Sequence, residues 1–182
     1  MRIIAGKLKG LKLNDFEFDN IRPTIDRVRE SIFNKIQFNI PNSVVLDLFG
    51  GTGAVSLEFV SRNAGHVTTV DNNANSIKII KQNFAKAKLK PNLIEDDYMK
   101  VLKKFYAEDK KFDIIFLDPP YTTDFGQKVL DYISDNDLLN IDGIVVYEHV
   151  VNKDFSIPDN LEMLDQRKYG TVNVSYLVKK ND

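Results

Sequence analysis

The four consecutive residues Asp118, Pro119, Pro120 and Tyr121 combine hydrogen-bond acceptors with a flat aromatic ring. They follow the apolar run 114–117, which predicts a buried strand that the two prolines bring to an end. Because a proline pushes the residue before it out of the helical region, we expect Asp118 and Pro119 to be extended, with a carboxylate and a carbonyl facing the same way. Such acceptors can take both protons of an amine while Tyr121 covers the ring that carries it. The alternative interpretation is a turn that ends a strand and does no chemistry.

A glycine-rich turn follows the first predicted strand, which carries Asp47 near its end. The residues of this turn are Phe49, Gly50, Gly51, Thr52 and Gly53. Asp71, with Asn72 beside it, ends the next predicted strand. A glycine turn lets the backbone approach a ligand closely, and an acid about 20 residues further on typically holds a ribose diol. Together these features predict an adenosine-containing cofactor.

The kind of cofactor is narrowed by the residues around the turn. Ser56 stands where a dinucleotide-binding turn needs its third glycine, and no GxxxxGK[ST] loop is present, so NAD, FAD and ATP are disfavoured. S-adenosyl-L-methionine carries an adenosine and a cationic amino-acid group but no phosphate. It would pair Asp47 with its ammonium, Asp71 with its ribose hydroxyls and Asp97 with its adenine amine. Each acid could instead cap a helix, and Asp96 is the alternative to Asp97.

The elements that would hold these residues alternate between strand and helix. Strands are predicted over 44–48, 66–70, 92–94, 112–117 and 144–147, and helices over 54–63, 74–86, 98–105 and 125–133. Segments 161–168 and 171–178 indicate a closing antiparallel hairpin. This order predicts an α/β doubly wound fold with a mostly parallel sheet, in which ligands bind at the carboxyl ends of the strands.

The amino end of the chain is basic. Arg2, Lys7, Lys9 and Lys12 lie within residues 1–14, which contain no acid. We interpret residues 2–13 as a short hairpin or irregular ribbon. Apolar residues at positions 25, 28, 32, 33 and 36 predict a helix after it, with Thr24 as N-cap. The lysine face of the 74–86 helix is interpreted as solvated surface.

The composition is that of an ordinary globular protein. The chain has 182 residues, 43% of them hydrophobic and 28% charged, which indicates one domain with at most a small appendage. The absence of cysteine excludes disulfides, thiolate zinc sites and a cysteine nucleophile. The two histidines, His66 and His149, are not at helical spacing from another ligand, so we expect no metal.

No targeting or membrane segment is apparent in the sequence. The first residues lack the apolar core of a signal peptide, and no apolar run reaches membrane-spanning length. We therefore expect a cytoplasmic protein without a membrane partner. The formal net charge of −1 gives no global sign of nucleic acid, so the basic amino end is a local feature.

These motifs resemble those of a known enzyme class. Segments 47–53 and 118–121, together with Asp71, are similar to the cofactor and catalytic motifs of class I S-adenosylmethionine-dependent methyltransferases that modify exocyclic amines. The chain as a whole resembles the bacterial 16S rRNA guanine-N2 methyltransferase family, the more specific matches being segments 2–6 and 22–24 with Arg29, Glu30 and Phe33. Gly50 replaces the family's alanine, Thr52 its serine and Asp71 its glutamate, three mild changes that keep the chemistry.

The resemblance implies a Rossmann-like fold with a mostly parallel seven-stranded sheet and a C-terminal antiparallel hairpin. It divides the chain into a basic arm with a helix, 1–40, and a methyltransferase domain, 41–182. The implied catalytic residues are Asp118, Pro119, Pro120 and Tyr121. The implied cofactor contacts are Asp47, Phe49, Gly50, Gly51, Thr52, Gly53, Asp71, Asn72 and Asp97. The implied RNA contacts are Arg2, Lys7, Lys9, Arg22, Thr24 and Arg29. The partner would be ribosomal RNA or the small ribosomal subunit, and the protein would be a monomer.

Several alternatives remain open at the level of sequence. The same acceptor motif would serve an adenine or cytosine amine in DNA or RNA, or a glutamine amide in a protein. A non-catalytic adenosine-binding or RNA-binding module, or a small dehydrogenase, represents a different class. Glu148, at the end of the fifth predicted strand, either supports the site or caps a helix.

Overall fold

The computed structural model describes residues 1–16 and 22–180, and for residues 22–25 it describes the backbone alone. The helices are α1 (Arg22–Lys35), α2 (Ala54–Ser61), α3 (Ala74–Lys86), α4 (Tyr98–Ala107) and α5 (Phe125–Asp135). The strands are β1 (Val44–Asp47), β2 (His66–Asp71), β3 (Asn92–Glu95), β4 (Phe112–Leu117), β5 (Leu139–Val150), β6 (Leu161–Tyr169) and β7 (Val172–Lys179).

The strands form a seven-stranded sheet in the order β3-β2-β1-β4-β5-β7-β6. The pairs from β3 through β5 are parallel, whereas β7 runs antiparallel to both β5 and β6. This topology confirms the predicted α/β fold with its C-terminal hairpin. The strand order reverses between β1 and β4, and ligands bind at such a switch point, beside the carboxyl ends of the strands.

Helices cover both faces of the sheet because successive side chains of the buried strands point to opposite sides. Val45 and Ile114 pack with residues of α1 and α2, whereas Leu46 and Ile115 pack with residues of α4 and α5. Helix α3 joins α2 in a third apolar cluster, which also receives the arm. The division of the chain at residue 41 stays a prediction, although α1 packs directly on the sheet.

Several predicted boundaries differ from the structure by one to three residues, and the start of β5 differs by five. Strand β5 begins at Leu139, five residues before the predicted start, and a register shift in its pairing with β4 separates Leu139 from Ile144. The segment 140–143 hid this start because Asn140, Asp142 and Gly143 interrupt the apolar run. Helix α1 begins at Arg22, so Thr24 lies inside its first turn rather than at the N-cap. Pro23 is compatible with that turn because the first N–H groups of a helix have no partner within it.

The basic arm, residues 1–14, is docked on the protein body. Ile3 donates its N–H to the carbonyl of Leu11 at 3.0 Å, and an antiparallel bridge joins Arg2 to Lys12, which confirms a short hairpin. The side chains of Ile3 and Leu13 are buried among residues of α2 and α3. In the part of the chain that the structure describes, no helix is both long and apolar enough to cross a membrane.

Candidate active site

A cavity of about 910 Å³ lies at the carboxyl ends of the parallel strands. Its lining gathers residues that the sequence places on five separate segments of the chain. The predicted site residues in this lining are Phe49, Gly51, Asp71, Asn72, Asp97, Asp118, Pro119, Pro120 and Tyr121. The other lining residues are Phe16, Leu48, Val70, Asn73, Asn75, Ser76, Asp96, Tyr98 and Phe125.

The glycine turn after β1 shapes one wall of this cavity. Gly51 and Gly53 have φ angles of 55° and 77°, in the left-handed region that glycine adopts without strain. A Cβ atom on Gly50 would lie 2.5 Å from Cγ2 of Thr69, so a side chain there, even the family's alanine, would require Thr69 to shift. Of the turn, Phe49 and Gly51 line the cavity, while Gly50, Thr52 and Gly53 support its shape.

Asp71 connects the glycine turn to the start of α3. Its Oδ2 accepts the N–H of Gly51 at 2.8 Å, and its Oδ1 accepts the N–H of Asn73 at 2.8 Å. Asn73 in turn caps α3 by accepting the N–H groups of Asn75 and Ser76. Because each carboxylate oxygen has two lone pairs, Asp71 can still accept hydrogen bonds from a ligand in the cavity.

Asp96 and Asp97 both lie in the cavity wall after β3. Asp97 caps α4, since its Oδ1 accepts the N–H groups of Met99 and Lys100 at 3.0 and 3.1 Å. Asp97 therefore has the helix-capping role that was considered as an alternative to cofactor binding. The contact of Asp97 with an adenine amine stays a prediction.

Asp47 lies underneath the glycine turn, and it is not among the described residues that line the cavity. It is only 1% exposed, and its Oδ2 accepts a 2.6 Å hydrogen bond from the hydroxyl of Ser56. Burial raises the pKa of Asp47 to about 7. Its Oδ1 is buried without a hydrogen-bond partner among the described residues. The predicted ammonium contact would therefore need a ligand that reaches below the turn, and it stays a prediction.

An aromatic cluster forms another wall, in which the predicted residue Phe49 is joined by Tyr98 and Phe125, which the sequence reasoning missed. Phe49 stacks on Phe125 with an interplanar angle of 8°, and Tyr98 contacts both rings at centroid distances of 5.3 and 4.8 Å. Tyr98 and Phe125 are the first residues of α4 and α5. Tyr98 follows the end of β3 by three residues and Phe125 follows the loop after β4, so the available signal was an aromatic residue at the first position of a helix on the ligand-binding edge of the sheet.

The rim of the cavity carries the motif of residues 118–121. The carbonyl of Pro120 accepts hydrogen bonds from the N–H and hydroxyl of Thr123 at 3.1 and 2.7 Å. No described residue donates to the carbonyl of Pro119. Lys153 holds the loop from outside through the carbonyls of Tyr121 and Thr123. The rim therefore offers the carboxylate of Asp118 and the carbonyl of Pro119 as acceptors.

Glu148 supports this rim from β5. The hydroxyl of Tyr121 donates a 2.9 Å hydrogen bond to Oε1 of Glu148, while 42% of Tyr121 remains exposed. Glu148 lies inside the strand, so the alternative that it caps a helix is wrong. The structure thus favours the other interpretation of Glu148, support of the site.

The acids at the rim affect each other's protonation. Asp118 is exposed to the cavity on one side and enclosed by protein on the other. Loss of solvation raises the pKa of Asp118 well above its ordinary value, and the charges of Glu148 and Asp47 raise it further. Loss of solvation also raises the pKa of Glu148. Water in the cavity weakens this effect, and a ligand that displaces the water strengthens it.

The predicted RNA contacts fall into three groups. Arg2, Lys7 and Lys9 are exposed on the arm. The side chains of Arg22 and Thr24 lie outside the described residues. Arg29 is a correction, because it is only 4% exposed and its guanidinium donates to the carbonyl of Arg2 and to Asp26. A buried and already bonded guanidinium anchors the arm and is not available to a phosphate.

Glu58 is a second arm anchor, and sequence reasoning gave no sign of it. Its buried carboxylate accepts the N–H groups of Ile4 and Ala5 at 2.8 and 3.0 Å. Arg62 completes the arrangement with an ion pair of 2.8 Å. From the sequence alone, Glu58 and Arg62 have the i,i+4 spacing of an ordinary surface pair on a helix. Only tertiary packing places the arm over them.

The charge of the lining distinguishes the ligands that could fit. Four acids, Asp71, Asp96, Asp97 and Asp118, face the cavity, and no lysine or arginine is among its described lining residues. Phosphate groups would be repelled there, whereas a cationic ligand is favoured. The glycine turn and the free capacity of Asp71 fit S-adenosyl-L-methionine, which carries an adenosine and a positive amino-acid end.

Comparisons with known proteins agree with this geometry. A family model described as conserved hypothetical protein 95 matches residues 1–178. Ribosomal RNA small subunit methyltransferase D of Haemophilus influenzae is 30% identical over 184 residues, which cover 100% of this chain and 94% of that protein. Its Escherichia coli namesake is 30% identical over 94% of this chain and 86% of its own length.

Solved structures show the same fold. The Escherichia coli protein YhhF superposes with a TM-score of 0.85 at 27% identity, covering 100% of this chain and 99% of that one. The Pyrococcus horikoshii protein PH1948, at 16% identity and a TM-score of 0.69, shares the class I methyltransferase fold. The chain belongs to the conserved hypothetical protein 95 family, which is a family of S-adenosylmethionine-dependent methyltransferases.

Proposed function

We propose that this protein transfers a methyl group from S-adenosyl-L-methionine to the exocyclic N2 amine of a guanine in small-subunit ribosomal RNA. One observation carries the proposal: Asp118, Pro119 and Tyr121 line the same cavity as Gly51 and Asp71. The rim proposed to bind the amine and the wall proposed to bind adenosine thus face one space. The names of the two relatives above, both ribosomal RNA small subunit methyltransferases, support the choice of substrate.

The cofactor would be held by the wall opposite the rim. The backbone at Gly51 would lie against it, Asp71 would accept hydrogen bonds from the ribose hydroxyls, and the aromatic cluster around Phe49 would pack on its apolar parts. When bound, S-adenosyl-L-methionine supplies an electrophilic methyl group on a sulfonium. The negative lining attracts the positive ligand and raises its local concentration.

The rim would prepare the amine for attack. A guanine amine is a weak nucleophile because its lone pair is delocalised into the ring. If Asp118 and the carbonyl of Pro119 accept its two N–H groups, the lone pair localises on nitrogen and is aimed away from the rim. Neither proline has an N–H, so the backbone there adds no competing donor. Most of the rate enhancement would come from this orientation and charge placement.

The released proton has an acceptor close by. The methylated amine is transiently cationic and loses a proton readily, so no strong base is needed before attack. Asp118, whose pKa is raised by loss of solvation and by its acidic neighbours, would accept the proton and pass it to water in the cavity.

Tyr121 would hold the target base. Its ring is partly exposed, and its hydroxyl is fixed by Glu148. An aromatic side chain in this position can stack on a base taken out of a helix or loop. The exposed cations of the arm would hold phosphates beside the site. A ribosomal substrate would place the reaction in the cytoplasm, with the protein acting as a monomer.

The proposal is tested by methyl transfer to defined substrates. Purified protein with labelled S-adenosyl-L-methionine is incubated with small ribosomal subunits that lack the modification, with naked 16S rRNA and with DNA, and Asp118→Ala is the control. We expect label in the ribosomal substrate, recovered after nuclease digestion as N2-methylguanosine. Label in adenine, cytosine or a protein glutamine would identify one of the alternative substrates. No label anywhere, with cofactor binding demonstrated by calorimetry, would contradict the proposal.

A further inference from the structure

We propose that the lysines of α3 and of the segment after it join the arm in one surface that binds the RNA backbone. This surface, the α3–arm face, comprises Lys78, Lys86, Lys88 and Lys90 with the arm residues Arg2, Lys7, Lys9 and Lys12. The inference rests on the proposed function for the identity of the polymer. It goes beyond that function in assigning a binding role to α3, which the sequence alone suggested to be ordinary solvated surface.

The first observation is an uneven distribution of charge along the chain. Residues 72–94 contain five lysines and no acid, and residues 1–14 contain four basic residues and no acid, although the net charge of the whole chain is only −1. Two positive segments therefore stand out on a nearly neutral protein.

The fold brings these two segments together. Asn14, at the end of the arm, bonds with three residues of α3: its N–H donates to Asn83 at 2.7 Å, its side-chain amide donates to Gln82 at 2.9 Å, and Lys86 donates to its side-chain oxygen. The row Lys78, Gln82 and Lys86 follows i,i+4 spacing, so the arm lies against the same exposed side of α3 that carries the lysines.

The second observation is that these charges are not compensated locally. Lys78, Lys88 and Lys90 are exposed and form no ion pair with another described residue, and on α3 only Lys81 pairs with an acid, Glu95. Helix α4 and its flanks differ, because there Lys100 pairs with Asp96, and Lys104 and Lys110 pair with Glu108. Among the described residues, four of the five lysines in 72–94 thus lack an acidic partner, whereas on α4 and its flank only Lys103 of the control set lacks one.

Helix stability does not explain this pattern. Lysines in the last turn complement the helix dipole, which accounts for Lys86. Lys88 follows the C-cap residue Ala87 and shares this effect, but Lys78 lies early in α3 and Lys90 lies four residues beyond its end, where the dipole has little effect.

The location of α3 relates the surface to the cavity. Asn75 and Ser76, in its first turn, line the cavity, and α3 then leads away from it. A helix of 13 residues is about 20 Å long. When a base occupies the cavity, its neighbouring nucleotides remain outside on the protein surface. Phosphates of those nucleotides are the ligands that fit a row of unpaired lysines leading away from the cavity.

Asn83 also connects this surface to the cofactor side. Its buried side chain accepts from Asn14 and donates both to the carbonyl of Asn14 and to the carbonyl of Thr52 in the glycine turn, at 3.0 and 2.8 Å. The arm, α3 and the glycine turn thus share one hydrogen-bonding residue, so the α3–arm face has a fixed position relative to the cavity.

The test compares two triple variants with equal changes of charge. Lys78→Gln, Lys88→Gln and Lys90→Gln remove charge from the α3–arm face while sparing Lys86, which contacts the arm. Lys103→Gln, Lys104→Gln and Lys110→Gln are the control on the exposed side of α4 and its flank. Binding to polyuridylate is measured over a range of salt concentrations, because backbone contacts are independent of base sequence. Melting temperatures and calorimetry with S-adenosyl-L-methionine establish that both variants fold and bind cofactor.

We expect the α3 variant to bind polyuridylate about tenfold more weakly at low salt. The slope of log affinity against log salt concentration should be reduced in magnitude by about 2, because about three phosphate contacts to a single strand are lost. The α4 variant should match the wild type within about twofold. Equal behaviour of the two variants, or no salt-dependent binding by the wild type, would overturn the inference.

Methyl transfer to small subunits separates this inference from the proposed function. If the wild type and the α3 variant methylate equally well at limiting substrate, the proposed function stands and the RNA-binding role inferred for the α3–arm face is wrong. If the α3 variant alone loses RNA binding but the wild type methylates no RNA, the RNA-binding face stands and the proposed function is wrong.

Discussion

The hydroxyl of Tyr121 donates a 2.9 Å hydrogen bond to Oε1 of Glu148, joining the loop after β4 to the adjacent strand β5. Without this bond, the ring would be a partly exposed side chain on a loop, free to take other rotamers. With it, the ring is held at the rim next to Asp118. Glu148 therefore positions the ring without needing to touch the substrate.

Glu148→Ala should weaken use of the RNA substrate by about tenfold in kcat/KM, because a hydrogen bond to a charged group typically contributes about 1.5–3 kcal/mol. Tyr121→Phe removes the same bond from the other side and keeps the ring. The double variant should then be no worse than either single variant, which a double-mutant cycle measures. Fully additive losses would mean that the two residues act independently. Calorimetry with the cofactor is the control, and we expect no change there.

Asp118→Ala should abolish methyl transfer while leaving the affinity for S-adenosyl-L-methionine within a few-fold of the wild type. Asp118→Asn, which keeps the shape but loses the charge, should reduce single-turnover transfer by about 10²–10³-fold, the usual cost of one preorganised electrostatic contact. Asp71→Ala is the matched control and should lose cofactor binding instead. A parallel loss of binding and transfer in Asp118→Ala would refute this division of roles.

The pH dependence of transfer should report the raised pKa of Asp118. The ionised carboxylate is the better acceptor for the amine, so kcat should fall as the pH drops through this pKa, at a higher pH than for an ordinary aspartate. Glu148→Gln removes a negative neighbour, which lowers the pKa of Asp118 and moves the acidic limb of the profile to lower pH. Rates between about pH 5 and 9 would show the shift. Movement toward higher pH would contradict the assignment.

Asp47 should make the stability of the unliganded protein depend on pH. Its pKa in the folded state is raised from 3.8 to about 7, so the folded protein binds this proton more tightly than the unfolded chain. The contribution to stability is fully present below the unfolded pKa and is lost as the pH rises through the folded value. The free energy of unfolding of Asp47→Asn should therefore be close to that of the wild type near pH 4. At pH 8 it should exceed that of the wild type by at most about 4 kcal/mol.

Ser56→Ala provides the opposite control for this prediction. The Ser56 hydroxyl donates to Asp47 and lowers its pKa, so its removal should destabilise the protein further at pH 8. Differential scanning calorimetry at several pH values measures both variants. A pH-independent difference between Asp47→Asn and the wild type would show that the carboxylate does not change its protonation in this range.

Glu58→Ala should release the arm. It leaves the N–H groups of Ile4 and Ala5 and the guanidinium of Arg62 without their acceptor, and breaking such a buried pair typically costs about 3–5 kcal/mol. We expect a lower melting temperature and faster proteolysis within the arm, detected by mass spectrometry. Glu30→Ala, an exposed acid on α1, should change neither. An intact arm in Glu58→Ala would show that apolar packing of Ile3 and Leu13 is sufficient to hold it.

The sequence was enough to predict the alternation of strands and helices and the residues that follow the strands. The hydrophobic period and the positions of glycine and proline are local features of the sequence. Because ligands bind at the carboxyl ends of parallel strands, residues that follow different strands are expected to meet at one edge of the sheet. For that reason Gly51, Asp71, Asp97 and Asp118 were predicted as neighbours, and all four line one cavity. The motif at Tyr121 was found because its residues are consecutive.

Tertiary structure alone decided what each polar side chain faces. Asp47 and Asp71 both end strands, yet the glycine turn and Ser56 cover the first and leave the second in the cavity wall. Arg29 looked like a surface cation, but the carbonyl of Arg2 lies over it. Burial depends on which distant segment packs above a residue, and neither periodicity nor spacing contains that information. The same holds for Glu148, whose role depends on a loop that reaches it from the adjacent strand.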